Sequence, residues 1–275
     1  YKVTGVQTCA LPILPKLAAG DAIGTLAYAE GNGQTHPNRV EARAVEETLS
    51  GFKPAVTDAD IADFYIVLAS ESETSGESLY IVQAGAAGLS AEPLSTVDPT
   101  RSHANIRMEN VLAERLGAKG EGWSLLQEIL DRAAVLFSWE QLGGAEACLQ
   151  MAKEYALGRY AFGRPVASYQ LVKKKLVEMY VKNTLARSNA YYGVWALNTG
   201  SPDLPVAAAA ARIGSTEAYA YAAKENIQIH GGMGYTWEFD CQFHYRRSKI
   251  LAVVIESASA WCEKLIVASD ESATV

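Results

Sequence analysis

The segment Gln228-Ile229-His230-Gly231-Gly232-Met233-Gly234-Tyr235-Thr236-Trp237-Glu238 interrupts a long run of helical sequence. Three of the four residues 231–234 are glycine, a composition that stops a helix and lets the backbone come close to another group. Polar side chains that could bind a ligand flank these glycines, and helical sequence resumes after them. A hinge between two helices needs one glycine, so the segment predicts a turn where a large cofactor lies against the main chain.

Helical periodicity surrounds this turn, with apolar residues recurring at spacings of three and four. The four predicted helices run from about Gly122 to about Tyr160, from just after Ser168 to about Gly200, from Pro205 to about His230, and from about Asp240 to about Ser269. Ser168 is the predicted N-cap of the second helix, and Gly200 is its predicted stop. Four long helices with short connections predict an antiparallel four-helix bundle.

The sequence before the helices has a β pattern, from about Asp21 to about Arg107. Runs rich in β-branched and aromatic residues lie at Ile23–Ala29, Ala62–Ala69 and Ser78–Ala84, with turn residues between them. Several short strands at this spacing favour a sandwich or barrel over βαβ units. The predicted fold class is therefore α+β: an antiparallel β sandwich or barrel-like domain at residues 14–115, followed by the helical bundle at residues 116–275.

Composition limits the class of protein and its partners. Of the 275 residues, 49% are hydrophobic and 20% are charged, which is typical of a globular protein with a large core. The formal net charge of −7 argues against nucleic acid or an anionic membrane surface as the main partner. The four cysteines have no metal-ligand spacing and indicate reduced thiols, and no apolar run is as long as a membrane span. We expect a cytoplasmic protein of a bacterium.

Residues 1–13 fit neither pattern, and they lack the apolar core and cleavage site of a signal peptide. They resemble the peptide that is produced when sequencing-adapter DNA is translated at the end of a genomic fragment. We therefore expect this leader to be artefactual and the natural protein to begin further upstream.

A second distinctive segment is Tyr155-Ala156-Leu157-Gly158-Arg159-Tyr160-Ala161-Phe162-Gly163-Arg164-Pro165, which is followed by Tyr169-Gln170. Arg159 stands at the predicted end of a helix, where a guanidinium could bind a pyrophosphate through paired charge-assisted hydrogen bonds. The alternative is an ordinary arginine that is favoured at the negative end of the helix dipole.

Together with residues 228–240, this segment resembles the acyl-CoA dehydrogenase family. Weaker similarity continues upstream through Asp98-Pro99-Thr100-Arg101 and residues 51–69, so the resemblance covers nearly everything from about Leu14 to the C-terminus. It implies an FAD-dependent enzyme that introduces an α,β double bond into an acyl-CoA thioester. It also implies electron transfer to an electron-transfer flavoprotein and assembly into a homodimer, homotetramer or heterotetramer.

The resemblance assigns roles to individual residues. Arg159 matches an arginine that binds the FAD pyrophosphate of a neighbouring subunit, and Phe162 matches an aromatic residue beside the adenosine. The residues Gln170, Gln228, Gly231, Gly232 and Thr57 match positions that contact FAD, with the Thr57 hydroxyl near the flavin ring. From the residues alone, an ordinary helix glutamine at 170, a hinge at 231–232 and a strand-end threonine at 57 remain alternatives.

The catalytic base is less well defined by the sequence. The reaction needs a carboxylate facing the α-carbon, which in most of the family follows the glycine turn, and Glu256 is the only one in the corresponding residues 253–259. It could instead be a surface glutamate in a helix, because the family's Tyr-Glu-Gly-Thr setting is absent. Some relatives use a position in the first helix of the bundle; it falls near Ala133, two residues from Asp131.

Two departures from the family weaken the expected contacts with the flavin ring. Ala55 stands where a tryptophan usually stacks on the flavin, and residues 29–34 replace a Thr-Glu-Pro loop. These departures also fit a non-catalytic structural partner subunit of a heteromeric acyl-CoA dehydrogenase. A bare helical interaction module is a further alternative, although the arginine and glycine motifs argue against it.

The family has an N-terminal helical domain before the β domain, and Leu14-Pro15-Lys16-Leu17 resembles its end. That domain forms one wall of the acyl pocket. We therefore expect the 275-residue chain on its own to bind FAD poorly and to be inactive.

Overall fold

The computed structural model describes residues 13–31, 34–37, 39–72 and 76–272. Tertiary contacts divide the chain into two compact units that meet in sequence at Ile129 and Leu130. The first unit contains most of the β-strands and the second most of the helical residues, which confirms a mixed α+β fold. The predicted leader lies outside the described residues except for Ile13, which begins a helical segment at residues 13–19.

Eight strands form a single sheet in the first unit. They are β1 (Gly24–Ala27), β2 (Arg43–Val45), β3 (Thr48–Thr57), β4 (Phe64–Ser72), β5 (Gly76–Gln83), β6 (Leu89–Pro93), β7 (His103–Leu112) and β8 (Glu114–Leu116). The order is β6-β7-β3-β2-β4-β5-β8, and β1 also pairs with β4. The pairings are antiparallel except that β1 and β2 each run parallel to β4, which the prediction of a purely antiparallel domain missed.

The sequence pattern located β1, β4 and β5 but missed the long strand β3. Its sequence contains Gly51 and Pro54, which disrupt the alternation that identifies a strand. The pairing of β3 with β7 shifts register between Leu49 and Gly51 and again between Lys53 and Val56, so the glycine and the proline both fall at bulges.

A buried ion pair holds the loop after β1 to the sheet. The Nζ of Lys53, a fully buried residue, donates to Oε1 of Glu30 at 2.6 Å and to the carbonyl of Tyr28 at 3.1 Å. The same carboxylate accepts the backbone N–H groups of Glu41 and Ala42. Desolvation lowers the pKa of Lys53, although Glu30 acts in the opposite direction.

The second unit is built from five helices in the described residues. They are α1 (Gly122–Gly158), which begins in the first unit, α2 (Gln170–Thr199), α3 (Leu204–His230), α4 (Cys241–Leu251) and α5 (Ala258–Ser272). The helix α3 packs against α2, α4 and α5, and its alanine-rich sequence allows close approach. A side chain at Gly144 would overlap the Tyr219 ring at 2.4 Å, so α1 also approaches α3 closely there.

The helix boundaries correct the sequence analysis in two places. Ser168 is not an N-cap: its hydroxyl donates to the carbonyl of Pro165 at 2.7 Å, and α2 begins after Tyr169 without a side-chain cap. The predicted last helix is interrupted at residues 252–257 and forms α4 and α5. The stop at Gly200 is confirmed, since this residue adopts a left-handed conformation with φ of 62°.

None of the helices in the described part of the chain is both long and apolar enough to cross a bilayer. The same described residues contain no group of histidine, cysteine, aspartate or glutamate side chains placed to hold a metal ion.

Candidate functional site

The glycine turn begins directly after α3. Gly231 has φ of 60° and ψ of −136°, a backbone conformation that only glycine adopts readily, and residues Gly231–Tyr235 form a short 3₁₀ helix. Gly231 and Gly232 are exposed, and a Cβ on either would meet no atom within 4 Å. Gly234 differs, because a Cβ there would lie 2.7 Å from the carbonyl oxygen of Ile227. Packing therefore requires the third glycine, while the first two leave open backbone.

An aromatic stack lies behind the turn. His230 is 4% exposed, and its ring stacks on Tyr155 of α1 with centroids 4.1 Å apart and on edge to Phe239 at 5.4 Å. Its Nδ1 donates to the carbonyl of Asn226 at 2.8 Å, and burial lowers the pKa of the imidazole. His230 is thus a packing residue that joins the end of α1 to the end of α3.

Arg159 lies just beyond α1, four residues after Tyr155. Its carbonyl accepts the N–H of Val166 at 2.8 Å, which closes a small hairpin of β9 (Tyr160–Ala161) and β10 (Arg164–Pro165). The Arg159 side chain is exposed and has no carboxylate partner among the described residues of the chain. Because His230 precedes Gly231 and stacks on Tyr155, the structure brings Arg159 and the glycine turn to the same end of α1 and α3.

Phe162 stands at the tip of this hairpin. Its side chain is 97% exposed, and its backbone is left-handed with φ of 51°, followed by Gly163 with φ of 79°. A non-glycine residue in this region is uncommon, and a large apolar ring in water is unfavourable. Both costs would be offset if another molecule covered the ring.

The two candidate glutamines also lie at this end of the helical unit. Gln170 is the exposed first residue of α2, and Gln228 is exposed in the last turn of α3. The start of α2 is fixed to the hairpin because the Tyr169 hydroxyl donates to the carbonyl of Ala161 at 2.9 Å. The segments that carry the candidate residues of the helical unit are therefore hydrogen-bonded or packed together. These residues are Arg159, Phe162, Gln170, Gln228, Gly231 and Gly232.

Thr57 belongs to the first unit, where it is the last residue of β3. Its carbonyl accepts the Thr25 hydroxyl at 2.6 Å, and its side chain is half-buried. Two residues earlier, Ala55 is exposed in the second bulge with φ of 49°, and its N–H donates to Oδ1 of Asn105 at 3.0 Å. The bulge that carries Ala55 was not visible in the sequence.

Glu256 lies in the break between α4 and α5 and not within a helix. Its side chain is half-buried, and its φ of 81° is in the region that favours glycine. For an L-residue this backbone costs about 1 to 2 kcal/mol, so the surroundings must impose it. The N–H of Ala260 binds Oγ of Ser257 at 3.3 Å, so Ser257 caps α5 and is the sequence signal that could have located the break.

The alternative position for the catalytic base, in the described helix α1 near Ala133, has no free-standing carboxylate. Asp131 is 5% exposed, and its carboxylate forms an ion pair with Nζ of Lys264 at 2.6 Å. Ala133, the position that matches the family, has no ionisable group. The described part of α1 therefore offers no carboxylate at position 133 and a salt-bridged one at position 131.

The chain is similar to known proteins over most of its length. Residues 120–254 match the family model described as "Acyl-CoA dehydrogenase, C-terminal domain". The acyl-CoA dehydrogenase IpdE2 of Mycobacterium tuberculosis is 38% identical over 202 residues, which are 74% of this chain and 56% of that protein. The chain thus spans a little over half the length of this relative.

Solved structures show the same fold. The butyryl-CoA dehydrogenase of Megasphaera elsdenii superposes with a TM-score of 0.84 at 25% identity, over 96% of this chain and 75% of the other. An acyl-CoA dehydrogenase of Geobacillus kaustophilus gives a TM-score of 0.90 at 22% identity, over 98% and 74%. Through its matched helical region and these relatives, the chain belongs to the acyl-CoA dehydrogenase family.

Proposed function

We propose that this chain acts in an FAD-dependent acyl-CoA dehydrogenase that catalyses α,β-desaturation of an acyl-CoA thioester. The observation that carries the proposal is the open backbone at Gly231 and Gly232, which the Tyr155–His230 stack holds at the same end of the helices as Arg159. Open glycine backbone, at the same end of the helices as a cation that has no carboxylate partner in the described part of the chain, suits a large anionic cofactor.

The available side chains fit FAD. Arg159 would bind the pyrophosphate of an FAD held by a neighbouring subunit, and Phe162 would pack beside its adenosine. The amides of Gln170 and Gln228 would donate to polar atoms of the cofactor. Thr57 would place its hydroxyl near the flavin ring. Bound FAD would supply a hydride acceptor for the β-carbon of the substrate.

Glu256 is the proposed base. Its carboxylate would accept the α-proton of the thioester at one of its Oε atoms, and buried Ile255 beside it would limit access of water. Electrons would then leave to an electron-transfer flavoprotein. We further propose that the enzyme works in the bacterial cytoplasm as a homodimer, homotetramer or heterotetramer.

The finer architecture is also part of this proposal. It comprises a sandwich or barrel-like β domain at residues 14–115 and an antiparallel four-helix bundle at residues 116–275, in which α4 and α5 together form the fourth helix. The packing of α3 against α2, α4 and α5 supports the bundle.

Replacement of Glu256 in the full-length protein tests the enzymatic role. We expect Glu256→Gln to lower the dehydrogenation rate by about 100-fold or more and to leave flavin content unchanged, because the amide cannot accept the proton. The rate is measured with a series of acyl-CoA thioesters of increasing chain length and a dye as electron acceptor. Glu263→Gln, at an exposed glutamate of α5, is the matched control.

A structural partner subunit is the second candidate function. It is favoured by Ala55, which cannot stack on a flavin, and by Glu30, whose carboxylate is committed to Lys53 and to backbone N–H groups. An unchanged rate in Glu256→Gln would support this candidate and contradict a role for Glu256 as base.

A further inference from the structure

Residues 252–257, which we call the Glu256 loop, connect α4 to α5. Glu256 has a left-handed backbone in this loop, and such a conformation persists only where neighbouring contacts over-determine it. Two buried side chains from other helices bind the backbone of this region, one at Leu251 and one at Ile255.

Arg212 of α3 provides the first contact. This side chain is 1% exposed, and its Nη2 donates to the carbonyl of Leu251, the last residue of α4. Its Nη1 donates to Oε1 of Gln141 on α1 at 2.7 Å, and its guanidinium lies 5.8 Å from the ring centroid of Phe137. The guanidinium is therefore fixed on α1 and holds the C-terminal end of α4. The dipole of that helix also favours a positive charge at this end.

Trp261 of α5 provides the second contact. It is 2% exposed, and its Nε1 donates to the carbonyl of Ile255 at 2.8 Å. An indole has a single donor, so this bond defines the orientation of the carbonyl immediately before Glu256. Ile255 is itself 6% exposed and anchors the same point of the loop by burial.

We propose that Arg212 and Trp261 are positioning residues that fix the backbone at Leu251, where the Glu256 loop begins, and at Ile255, immediately before Glu256, and so hold the Glu256 carboxylate in place for proton removal. The inference rests on the proposed function for the role of Glu256, but not for the hydrogen bonds themselves. Neither residue touches the substrate in this scheme, and both act through the backbone of the loop.

The first experiment measures amide hydrogen exchange in the full-length protein. We expect Trp261→Phe and Arg212→Met to speed exchange in residues 252–257 by about 10-fold and to leave residues 231–235 unchanged, because only the loop loses one of its two backbone anchors. Arg212→Lys, which keeps the charge and a donor, should restore part of the protection. If Arg212→Met does not fold, Trp261→Phe decides.

Two matched variants serve as controls. Trp139→Phe removes an indole whose Nε1 has no hydrogen-bond partner among the described residues, and Arg187→Met removes an arginine paired with Glu146. If Trp261→Phe and Arg212→Met exchange amide hydrogens in residues 252–257 no faster than these two controls, the inference is overturned.

The second experiment measures steady-state rates with the same acyl-CoA series. Misplacement of a base by about 1 Å can cost up to about 100-fold, so we expect kcat to fall at least about 10-fold in Trp261→Phe with KM and flavin content nearly constant. Faster loop exchange with a kcat equal to that of Trp139→Phe would overturn the positioning role. A wild-type protein that oxidises no acyl-CoA would overturn the proposed function, whereas the exchange data would still show whether the two residues hold the loop.

Discussion

Gly231 and Gly232 are neighbours that meet different physical demands. Gly231 has a backbone conformation that L-residues avoid, whereas Gly232 has no such requirement and its Cβ position is open. The first glycine is thus needed for the fold of the turn, and the second is available for contact with a ligand.

Alanine substitution should separate these two demands. We expect Gly231→Ala to reduce the free energy of unfolding by about 1 to 3 kcal/mol, because Cβ strains the backbone. Gly232→Ala should leave stability nearly unchanged and weaken flavin binding by about 10-fold or more, because the methyl group occupies the space that the cofactor needs.

Both effects are measurable by thermal unfolding and by flavin absorbance after gel filtration. Gly143→Ala, at an exposed glycine within α1, is the control and should raise stability by about 0.5 to 1 kcal/mol without affecting flavin. Normal flavin content in Gly232→Ala would contradict a cofactor at this turn.

At the scale of single elements, the hairpin of β4 and β5 depends on one carboxylate. Glu71 of β4 accepts a hydrogen bond from the Ser78 hydroxyl at 2.6 Å and pairs with Arg115 at 3.2 Å and Lys119 at 3.1 Å. Burial opposes its ionisation, but the hydrogen bonds from Ser78, Lys119, Tyr80 and Arg115 outweigh burial and lower the pKa of Glu71 to about 2.

This pKa makes the sheet unit sensitive to acid. Since the folded-state pKa lies below the unfolded value, the ionised carboxylate stabilises the fold above about pH 4.5, and the contribution is lost as the pH falls towards 2. A shift of this size is worth up to about 3 kcal/mol. We expect Glu71→Gln to flatten the fall in urea midpoint between pH 6 and pH 3; an unchanged fall would contradict the assignment.

The elements that the sequence predicted are those with a regular period and ordinary turn residues. The helices α1, α2 and α3 and the strands β1, β4 and β5 were recovered within a few residues because apolar spacing is local information. The strand β3 was missed because Gly51 and Pro54 sit at bulges, and the break at residues 252–257 because its apolar residues continue the helical composition.

The site residues also divide into those that a local sequence motif reveals and those that only the folded structure reveals. The motifs around Arg159 and Gly231 are contiguous in sequence and could be found there. Arg212 has no local signal, since it meets Leu251 and Gln141 only through tertiary packing, and the bond from Trp261 to Ile255 crosses a helix break that the sequence did not reveal. Long-range hydrogen bonds of this kind are not encoded in any pattern that a single sequence displays.

At the scale of the whole molecule, each unit has its own buried core. The reactivity of the cysteine thiols can measure how readily the core of the helical unit opens. Cys148 and Cys241 are fully buried, and burial raises the pKa of their thiols to about 12 and about 11. Cys262 is exposed on α5. A thiol of high pKa that is shielded from solvent reacts slowly with disulfide reagents.

In a Cys9→Ser background, we expect a chromogenic disulfide reagent to label Cys262 at once and the other two thiols only when the helical unit unfolds. The time course of absorbance in native protein and in urea measures both phases. Rapid native labelling after the further change Cys262→Ser would show that this core opens more readily than its burial indicates.

The left-handed backbone of Glu256 has a consequence for evolution of the chain. At that position glycine is the residue that the fold prefers, so selection for stability alone would replace the glutamate. We expect Glu256→Gly to melt no lower than the wild type while losing dehydrogenase activity, and differential scanning calorimetry can measure this. A lower melting temperature would mean that the Glu256 side chain contributes more to folding than its backbone strain costs. An equal or higher melting temperature would mean that the chain keeps the carboxylate for activity at a cost in stability.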